Sequence, residues 1–405
     1  MTTAHPHLKQ EIKAFPIAEP ETVGMSAKAI ASLCQTLRTE VDRRRLPGAV
    51  AMIIRDGQLV LHATVGQRDP VSNETMMPDA LFRIYSMTKP IVSVAVMMLM
   101  EQGKLQLSDS IAKYLPEFAS PHIFLPDSDS LLPCDAPTIH DLLRHTAGLS
   151  YEFMGTGTVH AQYAAKRLTS RKRSNAQFSQ ELAALPLLLE PGTMWEYSRA
   201  TDVLGRLVEV ISGQSLGCFL RQQIFDPLGM HDTGFAVTET AHHRLAEAFA
   251  QDPDGGLQIP LIDVRTQPAF ESGGGGLVSC ALDYARFLQC LLNGGALDGQ
   301  RLLARQTVAL MTTDHLGGIP VNAGMSRSLL PEGTGFGLGF AVQTVAGLAG
   351  IRGAVGTYAW EGMGGTSFFV DPTKKLLAIL MLQAPNQRDE YRILFRNLVY
   401  AAVLD

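Results

Sequence analysis

After Pro90 the segment "IVSVAVMMLMEQG" carries apolar residues on every helical face as far as Met100 and stops at Gly103. Glycine suits the left-handed position that ends many helices, so the pattern predicts a helix buried on nearly all sides, with Ser86 at or near its N-cap. Pro90 fits such a start, because the first turn of a helix has N–H groups without partners. Elsewhere the apolar pattern is one-sided. Residues 26–44 place Ile30, Leu33, Leu37 and Val41 at helical spacing behind a serine, and 201–213 and 281–295 read as further helices. "PGAVAMIIRDGQLVLHATVG" (47–66) reads instead as two strands around Asp56-Gly57, a strong hairpin signal. The far end mirrors it: "GTSFFVDPTKKLLAILMLQ" (365–383) is a second hairpin turning at Asp371-Pro372, followed by a closing helix over 389–405. One more strand is predicted over 335–343.

Strand-rich termini enclosing a long middle with helical periods imply an α+β fold. One antiparallel sheet is built from both chain ends and flanked by the terminal helices, with a mostly helical domain inserted. The divisions fall at 1–78 and 300–405 for the two parts of the sheet domain and at 79–299 for the helical insertion. The 405 residues, 46% apolar and 18% charged, allow an ample core. A net charge of −5 leaves no nucleic-acid footprint. The one basic run, "KRLTSRKR" (166–173), reads as a solvated loop or helix face.

No apolar run reaches the roughly 20 residues of a membrane span, and "MTTAHPHLKQEIKAFP" lacks the plan of a signal peptide. Five scattered cysteines (Cys34, Cys134, Cys218, Cys280, Cys290) form no metal or disulfide framework and read as buried free thiols. A cytoplasmic location, no metal, no nucleic-acid partner and no membrane association are the resulting expectations. "SGGGG" (272–276) lacks the G-K-[ST] ending of a phosphate loop and reads as a turn.

Two serines compete as nucleophile. "GQSLG" (213–217) matches the G-x-S-x-G elbow, which has meaning only between a strand and a helix. Here a helix pattern precedes it and closes at Gly213, which makes Ser215 the N-cap of the next helix. Ser86 lies three residues before Lys89, in S-x-x-K spacing that places both on one helix face with Cβ atoms about 5–6 Å apart. A lysine there meets desolvation and the positive end of the helix dipole, and both favour the neutral amine. It could take the serine proton itself, or as a cation lower the pKa of a tyrosine that does so.

"LFRIYSMTKP" (81–90) strongly resembles the first catalytic motif of the serine β-lactamase and penicillin-binding-protein superfamily, nearest to class C enzymes and the β-lactamase-like (family VIII) carboxylesterases. The resemblance spans about residues 20–400, with segments in family order. "LLRHTAGLSYEF" (142–153) is similar to the H-T-S-G-L stretch, and "EPGTMWEYSRATDVLGRLVEVISGQSL" (190–216) to the second-motif region. "GGGGLVSCALDYARFLQCLLNGG" and "WEGMGGTSFFVDP" follow. The resemblance implies the β-lactamase/DD-peptidase-like fold, with Ser86 as the nucleophile of an acyl-enzyme and Lys89 and Tyr197 as shared base. It implies an oxyanion hole from the N–H groups of Ser86 and Met363. Trp360, Gly362 and Tyr151 would contact substrate, and no cofactor is needed. His145, lacking a matching acid, reads as structural.

Departures from the pattern narrow the activity. The Y-x-N motif is Tyr197-Ser198-Arg199, without the asparagine that contacts an antibiotic's side-chain amide. K-T-G or H-T-G is missing from the late strand, where Trp360-Glu361-Gly362 resembles the W-x-G of the esterase branch. Tryptophan offers an apolar wall in place of a cation for a carboxylate. Glu361 would repel anions if it faced the pocket. The sequence therefore predicts a hydrolase of small neutral carboxylic esters. Hydrolysis of β-lactams, peptides or amides, and acyl transfer, are the alternatives within the fold.

Overall fold

Both ends of the chain meet in one sheet. The computed structural model describes residues 15–348 and 350–405; most of the segment read above for a signal peptide lies outside them. From the N-terminal side come β1 (Gly48–Arg55), β2 (Gln58–Asp69) and β3 (Glu74–Thr75). From the C-terminal side come β4 (Thr334–Phe336), β5 (Ala341–Gln343), β6 (Tyr358–Glu361), β7 (Ser367–Asp371) and β8 (Leu376–Leu382). They form one eight-stranded sheet in the order β4-β5-β6-β7-β8-β1-β2-β3. β1 pairs antiparallel with its hairpin partner β2 and with β8, in a register that sets Ala49 opposite Leu382 and Arg55 opposite Leu376. The expected hairpins at Asp56-Gly57 and Asp371-Pro372 are both present.

Every residue of β1 is buried, because both faces of the sheet are covered. Ala49, Ala51 and Ile53 join Leu376, Ala378 and Leu380 beneath the terminal helices, α1 (Ala27–Asp42) among them. Val50, Met52 and Ile54 join Leu377, Ile379 and Met381 in the larger core shared with the helical region. Each large side chain enclosed this way contributes roughly 1.5–3 kcal/mol.

One expectation needs correction. The single strand read over 335–343 is two short strands, β4 and β5, joined by a turn in which Gly339 has φ 96°. A Cβ there would collide with Ser93 Oγ, so only glycine allows the turn to press on the central helix. That helix, α2 (Thr88–Glu101), has Met87 as its N-cap, so Ser86 lies one residue before the cap, near it as the pattern predicts. Ser86 sits in a single 3-10 turn, Tyr85–Met87, feeding directly into α2. Thr88 to Leu99 are all buried, as the all-round apolar pattern predicts.

α3 (Ala200–Ser212) ends at Gly213 with φ 72°, and Ser215 Oγ then accepts the Cys218 N–H of α4 (Leu216–Leu220) at 3.2 Å. Ser215 is a helix cap, as its context predicts. α5 (Ala281–Leu292) lies in the core, and α6 (Arg388–Ala401) closes over the sheet. None of the five cysteines is paired, and the expectation of burial holds for Cys34, Cys280 and Cys290, whereas Cys218 is exposed. Among the described residues no single helix is long and apolar enough to cross a membrane.

Candidate active site

Tyr85, just before Ser86, has φ 42°, a left-handed conformation that costs a tyrosine about 1–3 kcal/mol. It is held there because its hydroxyl accepts the Ile262 N–H at 2.9 Å. Together with the 3-10 turn this leaves Ser86 partly exposed while Lys89, on the first turn of α2, is fully buried. Ser86 Oγ lies 3.2 Å from Lys89 Nζ and 2.6 Å from the Tyr197 hydroxyl. The structure thus brings together the three residues that the motif reading named.

Lys89 has two further partners. Its amine donates to the Gly274 carbonyl at 2.7 Å and lies 2.9 Å from the Tyr151 hydroxyl. Burial brings its pKa down to about 7, against a countering pull from Asp202 and with a smaller push from Arg199. A neutral amine has two N–H bonds and one lone pair. With Gly274 O and Tyr151 accepting, the lone pair is left for Ser86. Burial pushes the Tyr197 phenol well up, so at neutral pH it keeps its proton and donates to Ser86 Oγ.

The Gly274 carbonyl is a partner that the sequence reading missed, having taken "SGGGG" as only a turn. Asp202 of α3 fixes that turn, accepting Gly274 N–H at 2.8 Å and Ser272 Oγ–H at 2.5 Å. Nothing in a side-chain pattern marks a backbone acceptor, although aspartate within a buried helix offers a hint. Tyr151, assigned to substrate by resemblance, has its hydroxyl engaged with Lys89 and its ring stacked on Phe153 at 4.8 Å.

The turn after β6 packs against the nucleophile's backbone. Gly362 N–H donates to Thr366 O at 2.7 Å and Gly365 N–H to Gly362 O at 2.9 Å, bonds that do not involve the Met363 N–H. A Cβ on Gly362 would lie 2.5 Å from the Ile84 carbonyl, and one on Gly364 2.9 Å from the Tyr85 ring. The glycines therefore let the turn that carries Met363 press against Ile84 and Tyr85, the two residues before Ser86.

Trp360 and Glu361 occupy opposite faces of β6. The Trp360 ring lies 5.4 Å from Tyr197 and 5.2 Å from Phe336, on the active-site side. Glu361 turns away and pairs with Arg392 of α6, so its charge does not face Ser86. His145 is buried, with Nδ1 3.1 Å from Ser198 Oγ, and burial lowers its pKa so that the ring is neutral. It packs between Trp195, Tyr197 and Phe336, in keeping with a structural role. A surface cavity of about 920 Å³ lies between the turns at Gly57 and Pro372, and none of these residues lines it.

The family model described as Beta-lactamase matches residues 33–401. A protein of Mycobacterium tuberculosis is 35% identical over 86% of this chain and 88% of its own length. Esterase EstB of Burkholderia gladioli is 31% identical over 95% of this chain and 98% of its own. Among solved structures, EstCE1, described as a hydrolase with promiscuous acyltransferase activity, superposes with a TM-score of 0.78 at 28% identity. That match covers 92% of this chain and 99% of EstCE1.

Proposed function

The chain belongs to the Beta-lactamase family and is a serine hydrolase; on that premise we propose that it cleaves small carboxylic esters through an acyl-enzyme on Ser86. The observation that carries this reading is the convergence of Lys89 Nζ and the Tyr197 hydroxyl on one partly exposed serine oxygen. Ser86 Oγ attacks the ester carbonyl as its proton passes to the Lys89 amine. The N–H groups of Ser86 and Met363 take the negative charge that develops on the carbonyl oxygen. Tyr197, hydrogen-bonded to the same oxygen, hands a proton to the departing alcohol and is replenished from Lys89. Water then attacks the acyl carbonyl with the proton path reversed, releasing the acid and free Ser86.

Ester rather than lactam follows from the missing cation on the late strand, where Trp360 offers an aromatic wall. Purified protein should therefore hydrolyse p-nitrophenyl acetate and butyrate far faster than a chromogenic cephalosporin. Comparable rates on the cephalosporin would overturn the ester reading. The similarity to EstCE1 favours a second outcome, in which an added alcohol diverts part of the acyl group into a new ester.

The pH profile is expected to follow Lys89. Its folded pKa of about 7 lies below the ordinary lysine value, so the basic form accumulates as pH rises through 7. Ester kcat/KM should rise across that range and fall about tenfold per unit well below it. A flat profile between pH 5 and 8 would exclude a neutral lysine as base.

Gly362→Ala tests the oxyanion turn. The new Cβ collides with both the Thr366 hydroxyl and the Ile84 carbonyl, and because the carbonyl is backbone and cannot swing aside, the turn carrying the Met363 N–H is expected to shift. A loss of about 10- to 100-fold in kcat with little change in KM is expected. Unchanged kcat would remove the turn from the oxyanion hole.

A further inference from the structure

Where the resembling lactamases carry the asparagine of Y-x-N, this chain carries Arg199, and the structure shows it cannot take that role. Arg199 is buried at 5% exposure, its Nη2 2.6 Å from Glu152 Oε1 and its Nη1 3.3 Å from Asp202 Oδ2. Its guanidinium carbon lies 4.7 Å from the centroid of the Tyr151 ring. Two carboxylates and a ring leave it no freedom to turn toward a ligand. Buried ion pairs of this kind contribute little to stability against an apolar replacement, so the arrangement calls for another use.

Two arms run from this cluster to one atom. In the first, Arg199 lies over Tyr151, whose hydroxyl is 2.9 Å from Lys89 Nζ. In the second, Arg199 pairs with Asp202, which holds the Gly274 N–H and Ser272 hydroxyl, and Gly274 O accepts from Lys89 Nζ at 2.7 Å. We propose that Arg199, clamped between Glu152 and Asp202, is a positioning residue for the acid–base pair: it fixes both supports of the Lys89 amine and sets a positive charge close to it. The inference rests on the reading of Lys89 as base.

The groups bearing on the amine are Ser86 on its own segment, Tyr151 on the loop after His145, Tyr197, and Arg199 and Asp202 at the start of α3, with Glu152 reaching it through its pair with Arg199. His145 is neutral, and with Tyr151 and Tyr197 protonated the local charge is two carboxylates against one guanidinium. Removing the cation favours ammonium, and removing a carboxylate favours the neutral amine. The two changes should act in opposite directions.

The test measures kcat/KM for p-nitrophenyl butyrate from pH 5 to 10 at fixed ionic strength, on wild type, Arg199→Met, Arg199→Lys, Glu152→Gln and Lys89→Met. Arg199→Met should move the acidic limb upward by on the order of one pH unit, and Glu152→Gln should move it downward. Arg199→Lys should restore the limb while leaving kcat several-fold low, since charge is kept and the planar clamp is lost. A loss of activity in Arg199→Met and Glu152→Gln with the limb unmoved, or moved the same way in both, would overturn the proposal. If Arg199→Met does not fold, the near-isosteric Glu152→Gln decides alone: a downward shift supports the proposal and an unmoved limb overturns it. Lys89→Met separates the two levels. If it keeps wild-type activity, the base assignment itself falls; if it is inactive while the other profiles stay put, only the role of Arg199 falls.

Discussion

Ser86→Ala should abolish ester hydrolysis, lowering kcat/KM by at least about 10⁴-fold while the protein folds normally. The serine oxygen lies in a partly exposed turn rather than in the core, so its removal creates no buried cavity. Lys89 keeps Gly274 and Tyr151 as partners, so its amine is not stranded. What disappears is the atom on which the acyl group is built. Ser215→Ala is the paired control: it removes a cap on a short surface helix, costs about 1 kcal/mol of stability and leaves turnover unchanged. The reverse result, a dead Ser215→Ala and an active Ser86→Ala, would mean that G-x-S-x-G is the working motif and that the site has been placed on the wrong serine.

Tyr197→Phe carries the second-largest effect, a fall of about 10²- to 10⁴-fold in kcat with KM within a few-fold of wild type. The phenyl ring keeps its packing against Trp360 and His145, so the loss isolates the hydroxyl that lies 2.6 Å from Ser86 Oγ. Because Lys89 remains, the surviving activity should still rise through pH 7. Stopped-flow measurement with the p-nitrophenyl ester would show whether acylation or deacylation has slowed. A variant as fast as wild type would mean that Lys89 alone moves the proton in both half-reactions.

The parts of the site legible in the sequence were those with a strong local signature. An all-round apolar helix with a lysine on its first turn is a conflict between patterning and charge, and such conflicts collect at functional sites. Tyr197 had no comparable signature and was reachable only through family resemblance. The support around Lys89 was not legible, because Gly274 acts through its carbonyl and Asp202 through the Gly274 N–H and the Ser272 hydroxyl. These are contacts of chain geometry, made between segments dozens of residues apart. The same distinction explains the fold. Hairpins with tight turns stood out, whereas 335–343 read as one strand because a glycine-driven reversal hides inside an alternating apolar run. Ser86 could be placed near the helix start but not assigned to its 3-10 turn, because such a turn entering a helix has the same residue preferences as the helix start.

The central placement of β1 also governs when catalytic competence can arise. One neighbour, β2, follows it in the chain immediately, but the other, β8, is more than 300 residues away, as the pairing of Ala49 with Leu382 requires. Pairings over such separations form late, since a long loop must close before they are rewarded. The Gly362–Gly365 turn lies on the same late segment. A chain emerging from the ribosome therefore exposes Ser86 and Lys89 long before the turn that would stabilise their reaction has been synthesised. On the proposed acyl-enzyme mechanism the serine is present early but its oxyanion turn only when the last strands dock, so premature acylation of a half-made chain is expected to be disfavoured by the order of its own synthesis.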